Sequence, residues 1–126
     1  MIIYNARIVR TGPFVADGLA DNMLITFDAA GPADCLDYAL VLSPVFKHPT
    51  LQILPGDRLR LQVAGEEYLI TAIGREAQHN LYELGHLTLL FDASLFARHA
   101  GCLHLSGTCP VLSDLQGNLV IAEAVS

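Results

Sequence analysis

The stretch "DRLRLQV" at residues 57–63 constrains the fold more than any other part of the chain. Leu59, Leu61 and Val63 alternate there with polar side chains, and this period of two gives a strand one buried and one solvated face. A turn signal, "PG" at residues 55–56, precedes the stretch, and "AGEE" then reverses the chain into "YLITAIG". Residues 57–74 are therefore predicted to form a β-hairpin.

Most of the remaining chain also has the pattern of short strands separated by turn residues. The segments are "RIVR", "MLITF", "DYALVLS", "HLTLLFD", "CLHLSG" and "LVIAEAV". Only "GPFVADGLADN" and "EAQHNLYELG" can hold helical turns, and Gly18 and Gly85 keep both short. We expect an all-β fold, a small closed or partly closed β-barrel or sandwich (pseudobarrel) with at most one or two short helical segments. With 126 residues, the chain is expected to be one domain over residues 1–126.

Composition and charge exclude several classes of function. Seven Lys and Arg against thirteen Asp and Glu give a net charge of -6, so the chain lacks the basic field that nucleic-acid binding requires. Its apolar runs fall short of the roughly 18 to 20 residues that span a bilayer, and "MIIYNARIVR" lacks the continuous apolar stretch of a signal peptide. We therefore expect a cytoplasmic protein that is not inserted in a membrane. Cys35, Cys102 and Cys109 are an odd number with no CxxC pair, which favours buried or idle thiols over a disulfide framework.

Histidines are the side chains of this sequence best suited to reaction near neutral pH. There are five of them: His48, His79, His86, His99 and His104. His99 and His104 are five residues apart, a spacing that fits neither one helix face nor one strand face, so we expect no metal and no cofactor. The sequence also has no G-x-S-x-G motif and no glycine-rich phosphate loop. Taken alone, His86 has the pattern of a histidine at a strand end that is hydrogen-bonded to the backbone.

Several blocks of residues, in order along the chain, carry a resemblance to a known family. They are Asp21 with "MLITF" at 23–27, "PAD" at 32–34 with Leu36 and Tyr38, "PG" at 55–56, "NLYELGHLTLLFD" at 80–92 and "GCLHLSGTCP" at 101–110. The block around His86 is the most specific of them. On these residues the chain resembles the glucitol/sorbitol-specific IIA component of the bacterial phosphotransferase system (PTS), and the resemblance covers nearly the whole chain.

The resemblance implies a cytoplasmic all-β pseudobarrel that works in a relay. Such a component takes a phosphoryl group from the histidine-containing phosphocarrier HPr and passes it to the membrane-bound PTS components of a sugar alcohol transporter. A histidine suits this chemistry because a neutral ring nitrogen can attack phosphorus and hold the phosphoryl group as a labile phosphoramidate. HPr and the membrane-bound components are therefore the partners implied, and pairing of edge strands would also allow a homodimer.

The family's acceptor lies in a His-x-His-Gly-Glu-Leu pattern at the end of the strand that follows the Pro-Ala-Asp segment. A gap-free match places the two histidines of this pattern at Leu42 and Pro44, neither of which can carry phosphate. The Gly-Glu-Leu is replaced as well, by Val45, Phe46 and Lys47. The framework around His86 is therefore kept, while the residue that performs the family's chemistry is absent from its usual position.

Three interpretations stay open. In the first, a gapped match makes His48 the phosphoryl acceptor. In the second, His86 or His104, both at positions that match the family, forms part of the site and acts alone. In the third, the protein keeps the fold but is a non-catalytic binding or regulatory module. A site shared by these positions requires Leu42 to lie near His86 and His104.

The segment "VLSPVFKHP" is a candidate docking patch for a partner protein. Pro44 and Pro49 interrupt strand pairing, so residues 45–48 are predicted to form an exposed loop. Phe46 beside Lys47 would give this loop an apolar and a charged contact, unless Phe46 folds back into the core.

Overall fold

The structure of the protein, a computed structural model, describes residues 1–56 and 58–124. The strands of this part of the chain are β1 (Ile2–Thr11), β2 (Met23–Asp28), β3 (Ala39–Lys47), β4 (Leu59–Val63), β5 (Glu66–Ile73), β6 (Leu87–Leu90), β7 (Cys102–Ser106) and β8 (Asn118–Glu123). The helices are α1 (Val15–Ala20), α2 (Ala33–Leu36) and α3 (Ala77–Leu84), and a 3₁₀ turn lies at Leu112–Asp114. Asp57, where the predicted hairpin begins, and Val125, where the last predicted strand ends, lie outside the described residues.

The strands form a closed barrel in the order β1-β3-β2-β6-β7-β5-β4-β8. β2 pairs with β3, and β6 with β7, in parallel, while the other neighbours are antiparallel. Closure leaves no unpaired edge among the strands of residues 1–56 and 58–124, which is how a small sheet avoids edge-to-edge association. The predicted all-β barrel is confirmed. So is the β4–β5 hairpin over its described residues, with Ala64 and Gly65 at φ values of 56° and 77° in its turn.

The core fills the barrel interior and extends to both of its ends. Alternation in β4 buries Leu59, Leu61 and Val63, as the sequence predicts. α1 follows the end of β1 and adds Val15 to the core cluster, whereas α3 follows the end of β5 and adds Leu81. We call these two ends of the barrel the α1 end and the α3 end. β2 finishes and β6 begins at the α3 end.

The number of helical segments is larger than the sequence predicts. Besides the two expected helices, α2 and the 3₁₀ turn at Leu112–Asp114 are present. Pro32 precedes α2 in an extended conformation, with φ of -61° and ψ of 140°, and the helix then makes a single turn. A segment of this length has no periodicity to detect, which is the physical reason why the sequence predicts at most two helical segments.

The predicted loop at residues 45–48 is wrong in part, because β3 continues to Lys47. Pro44 is accommodated at a bulge, where Asn5 faces Phe46 and Ala6 faces Pro44, so that Val45 has no partner on β1. A bulge tolerates proline since the hydrogen-bond ladder is already interrupted there. Val45 and Phe46 are nevertheless 64% and 44% exposed, which leaves this strand end on the surface.

Candidate functional site

His86 lies at the junction between α3 and β6. The helix ends at Gly85, whose φ of 63° is left-handed, and His86 follows directly before β6. A Cβ at Gly85 would lie 2.6 Å from the backbone nitrogen of Asp28, so glycine allows the close approach of this junction to β2. The buried Thr26 hydroxyl donates to the Gly85 carbonyl oxygen at 2.8 Å. The prediction that His86 precedes a strand after a helix broken at Gly85 is confirmed.

The ring of His86 is half-buried on the outer face of the barrel. Its Nδ1 lies 3.3 Å from the Thr26 carbonyl oxygen, and its centroid lies 4.7 Å from that of Phe27. A carbonyl oxygen can only accept, so Nδ1 carries the proton and the neutral ring has its lone pair on Nε2. Within residues 1–56 and 58–124, Nε2 has no hydrogen-bond partner. A neutral imidazole nitrogen in this state can act as a nucleophile.

His104 lies in a closed environment on β7, beneath the segment 92–101. Its ring is fully buried, Nδ1 is 2.8 Å from Oδ1 of Asp92, and Nε2 accepts the backbone N–H of Arg98 at 3.2 Å. Since Nε2 needs its lone pair to accept, the ring is neutral, and Nδ1–H donates a hydrogen bond to the carboxylate rather than forming an ion pair. Both nitrogens are occupied, which favours a structural role in holding the segment 92–101.

The carboxylate of Asp92 is stabilised by this arrangement. Burial raises its pKa, but the hydrogen bonds from His104 and from the backbone N–H of Ser94, together with the charge of Arg98, outweigh burial. The net result is a pKa of Asp92 below its ordinary value.

His48 caps the turn that follows β3. Its Nδ1 accepts the backbone N–H groups of Thr50 and Leu51 at 3.2 and 3.1 Å. In the neutral ring the proton is therefore on Nε2, the opposite tautomer to that of His86. The nitrogen that remains outside the turn is a donor and has no lone pair for attack on phosphorus, which favours a structural role for His48 as well.

Leu42, the position that matches the family's acceptor, lies inside the barrel. It is fully buried in the core cluster, and the backbone N–H of Ala29 donates to its carbonyl oxygen at 3.0 Å. His86 packs against Phe27 on the outer face and His104 lies beneath the segment 92–101. The Leu42 side chain is therefore in the core, although β3 pairs Leu42 with Asp28, the residue against which Gly85 packs. A common site with the two histidines stays a prediction.

Tyr4 is a feature of the α3 end that sequence reasoning missed. Its side chain is fully buried, its ring lies 6.1 Å from that of Tyr82, and its hydroxyl has no hydrogen-bond partner among the described residues. Burial raises the pKa of the Tyr4 phenol, and the charges of Asp28 and Tyr82 raise it further. An alternating strand such as β1 gives no signal that its inward tyrosine lacks a hydrogen-bond partner.

Other reactive groups are dispersed. In the part of the chain that the structure describes, no three His, Cys, Asp or Glu side chains are grouped so that they could hold a metal ion. Cys35 is an exposed free thiol, Cys102 is buried and Cys109 is half-buried, and burial raises the pKa of the last two. Over residues 1–56 and 58–124, no helix has the length and apolar character needed to cross a membrane.

Comparison with known proteins assigns the barrel to a family. Residues 3–120 match the family described as the PTS system glucitol/sorbitol-specific IIA component. Proteins named PTS system glucitol/sorbitol-specific EIIA component, from Shigella flexneri and from Escherichia coli strain K12, are each 37% identical over 125 residues, which cover 98% of this chain and 97% of each relative. The chain belongs to the family of glucitol/sorbitol-specific IIA components of the phosphotransferase system, whose members relay a phosphoryl group to a transporter.

A solved structure agrees with the fold. The crystal structure of the PTS system IIA component from Enterococcus faecalis V583 superposes with a TM-score of 0.73, and the match covers 96% of this chain and 99% of that one. At 20% identity this similarity establishes the barrel architecture and nothing further.

Proposed function

We propose that this chain is the IIA component of a phosphoryl relay that serves a sugar alcohol transporter, with His86 as the phosphoryl acceptor. HPr donates the phosphoryl group in the cytoplasm, and the membrane-bound PTS components receive it. Family membership supports the relay. One observation carries the choice of acceptor: of His48, His86 and His104, His86 is the one with a partly exposed ring and a lone pair on an unoccupied Nε2.

The transfer exchanges one phosphorus–nitrogen bond for another. Nε2 of His86 attacks the phosphorus of phosphorylated HPr, and the bond to the HPr histidine breaks with its electron pair returning to that ring. The Nδ1 proton stays hydrogen-bonded to the Thr26 carbonyl oxygen, which stabilises the positive charge that the His86 ring acquires. The same steps in reverse pass the phosphoryl group to the next acceptor.

A non-catalytic binding or regulatory module is the second candidate, and the environment of Leu42 favours it. An apolar side chain that is fully buried at the acceptor position removes the nucleophile and leaves no solvated space for a dianionic group. Pro44, the second substituted position, has no side-chain nucleophile either. Under this candidate the barrel retains its docking surfaces but accepts no phosphate.

A phosphorylation assay distinguishes the two candidates. The protein is incubated with phosphoenolpyruvate, enzyme I and HPr, and intact mass is followed for an acid-labile gain of one phosphoryl group. We expect labelling of the natural sequence and its loss in His86→Asn, since the asparagine amide can still donate to the Thr26 carbonyl oxygen but cannot attack phosphorus.

The control is His79→Asn, because His79 is an exposed histidine on α3. This variant should be labelled like the natural sequence.

If the natural sequence accepts no phosphate, the second candidate is favoured and Leu42→His with Pro44→His becomes the informative variant. Labelling that survives His86→Asn but is lost on substitution of His48 or His104 would assign the acceptor elsewhere.

A further inference from the structure

The outer face of β2 differs from the outer face of β4. Met23, Ile25 and Phe27 lie on this face, and all three are apolar and half-buried. On β4 the corresponding outward positions are Arg60 and Gln62, as expected for a solvated strand. An apolar outer face on one strand calls for an explanation other than core packing.

Two aromatic side chains from neighbouring segments extend this face. Phe14 precedes α1 and Tyr38 follows α2, and their rings contact each other with centroids 5.0 Å apart. They are 44% and 56% exposed. Two adjoining depressions, of about 170 and about 290 Å³, share Ile25 and Tyr38, and the larger one is lined by His86. We call this continuous surface, made by Phe14, Met23, Ile25, Phe27, Tyr38 and His86, the β2 face.

The charges on the β2 face have one sign. Asp17 and Asp21 line the smaller depression and Asp34 lines the larger one, whereas no Lys or Arg among the described residues lines either of them. Within residues 1–56 and 58–124 these three carboxylates take part in no ion pair. An apolar patch within an acidic rim is complementary to an apolar patch within a basic rim.

We propose that the β2 face is the docking surface for a protein partner that presents apolar side chains flanked by Lys or Arg, and that this partner delivers its reactive group to His86. The proposal rests on the proposed function, since it places the acceptor at the edge of the docking surface. A second copy of the chain is a poor occupant, because pairing two such faces would bring Asp17, Asp21 and Asp34 of one copy against the same carboxylates of the other.

The test uses HPr as the probe and measures its dissociation constant by calorimetry. In Asp17→Lys/Asp21→Lys/Asp34→Lys the affinity should fall at least about tenfold, because the charges that attract a basic partner are reversed. The matched control, Glu66→Lys/Glu67→Lys/Asp114→Lys, makes the same change of charge at exposed positions that line other depressions, and its affinity should stay within about threefold of the natural sequence.

A second experiment measures HPr binding to the natural sequence, so it needs no substitution that could disturb folding. Cys35 lies on the larger depression as an exposed thiol, while Cys102 and Cys109 are buried and half-buried. Bound HPr should slow alkylation of Cys35 by a maleimide at least about fivefold. The proposal is overturned if bound HPr leaves the alkylation rate of Cys35 unchanged, or if the two triple variants bind HPr with equal affinity. It is also overturned if the protein self-associates through this face while HPr does not bind.

The outcomes separate this proposal from that of the phosphoryl acceptor. HPr that protects Cys35 without transferring phosphate would support the β2 face and contradict the role of His86. Phosphate transfer that is as fast in Asp17→Lys/Asp21→Lys/Asp34→Lys as in the natural sequence would support the relay and contradict the β2 face.

Discussion

Two histidines of this barrel, His86 and His104, differ in whether the polar atoms around them have hydrogen-bond partners. Around His104 each polar atom of the ring is paired, with Asp92 on one nitrogen and the backbone of Arg98 on the other. At the α3 end of the barrel, Nε2 of His86 and the hydroxyl of Tyr4 have no hydrogen-bond partner among the described residues. Both histidines lie in segments that carry the family resemblance, so the sequence cannot separate them.

The difference shows how a histidine with a structural role can be distinguished from a reactive one. A buried polar group costs free energy unless it is paired, so a fully paired ring is what stability requires. An available nitrogen on a partly exposed ring, held by one hydrogen bond that fixes its tautomer, contributes less to stability and is suited to reaction.

Replacement of His104 should give the largest loss of stability. His104→Ala leaves a cavity in a fully buried position, removes the partner of Asp92 and leaves the Arg98 backbone N–H without an acceptor. We expect the free energy of unfolding, measured by urea denaturation, to fall by about 3 kcal/mol. His86→Ala should cost about 1 kcal/mol or less, because it removes one long hydrogen bond from a half-buried ring. Equal losses in the two variants would contradict the contrast.

The junction that positions His86 should be the next most sensitive region. In Gly85→Ala the new Cβ meets the backbone nitrogen of Asp28 at 2.6 Å at a φ of 63°, so we expect a loss of about 2 kcal/mol. Gly117→Ala is the matched control, since Gly117 has a φ of 82° but a Cβ added there would meet no atom within 4 Å. Gly117→Ala should lower the free energy of unfolding by about 1 kcal/mol, the cost of placing a Cβ at a positive φ without a steric clash.

The two glycine substitutions together test whether the junction is constrained by packing. If both lose the same free energy, the close approach of α3 to β2 does not constrain this junction. If Gly85→Ala loses more and also lowers the rate of phosphorylation at His86, the junction positions the acceptor as well as stabilising the barrel.

The sequence predicted those features that depend on neighbouring residues, and not those that depend on residues far away along the chain. Alternation in β4 and a helix stop at Gly85 are local patterns, and both were predicted correctly. The tautomers of His48 and His86 depend on the backbone groups of residues 50, 51 and 26, and the last of these is 60 residues away in sequence. The contact of His86 with residue 26 has no local signature, so the sequence left these histidines as equal candidates.

A limit of the same kind explains two of the features that the sequence did not predict. Pro44 indicated a loop because proline lacks an N–H, but the bulge opposite Ala6 removes the need for that donor. α2 was missed because a single helical turn after Pro32 has no period. At Pro44 the structure follows from pairing with a distant strand, β1, rather than from the residue type itself.

The hydrogen bond between His104 and Asp92 predicts a pH dependence of smaller size. The pKa of Asp92 is lower in the folded state than its ordinary value, so the stabilisation it provides is present above about pH 4 and is lost as the pH falls through the folded-state pKa. In Asp92→Asn, stability measured by urea denaturation should decline less between about pH 4 and pH 2.5 than in the natural sequence. An identical decline in both proteins would show that other carboxylates dominate acid denaturation.

The smallest expected effect, and the one with opposite sign, concerns the unpaired hydroxyl at the α3 end. Tyr4→Phe removes a buried group that has no hydrogen-bond partner among the described residues, so the free energy of unfolding should rise by about 1 kcal/mol or less. Tyr82→Phe is the matched control, because the Tyr82 hydroxyl donates to the His48 carbonyl oxygen at 2.9 Å, and it should lose about 1 kcal/mol. If Tyr4→Phe instead destabilises the protein as much as Tyr82→Phe, the Tyr4 hydroxyl has a hydrogen-bond partner in solution. The contrast with the fully hydrogen-bonded ring of His104 would then rest on Nε2 of His86 alone.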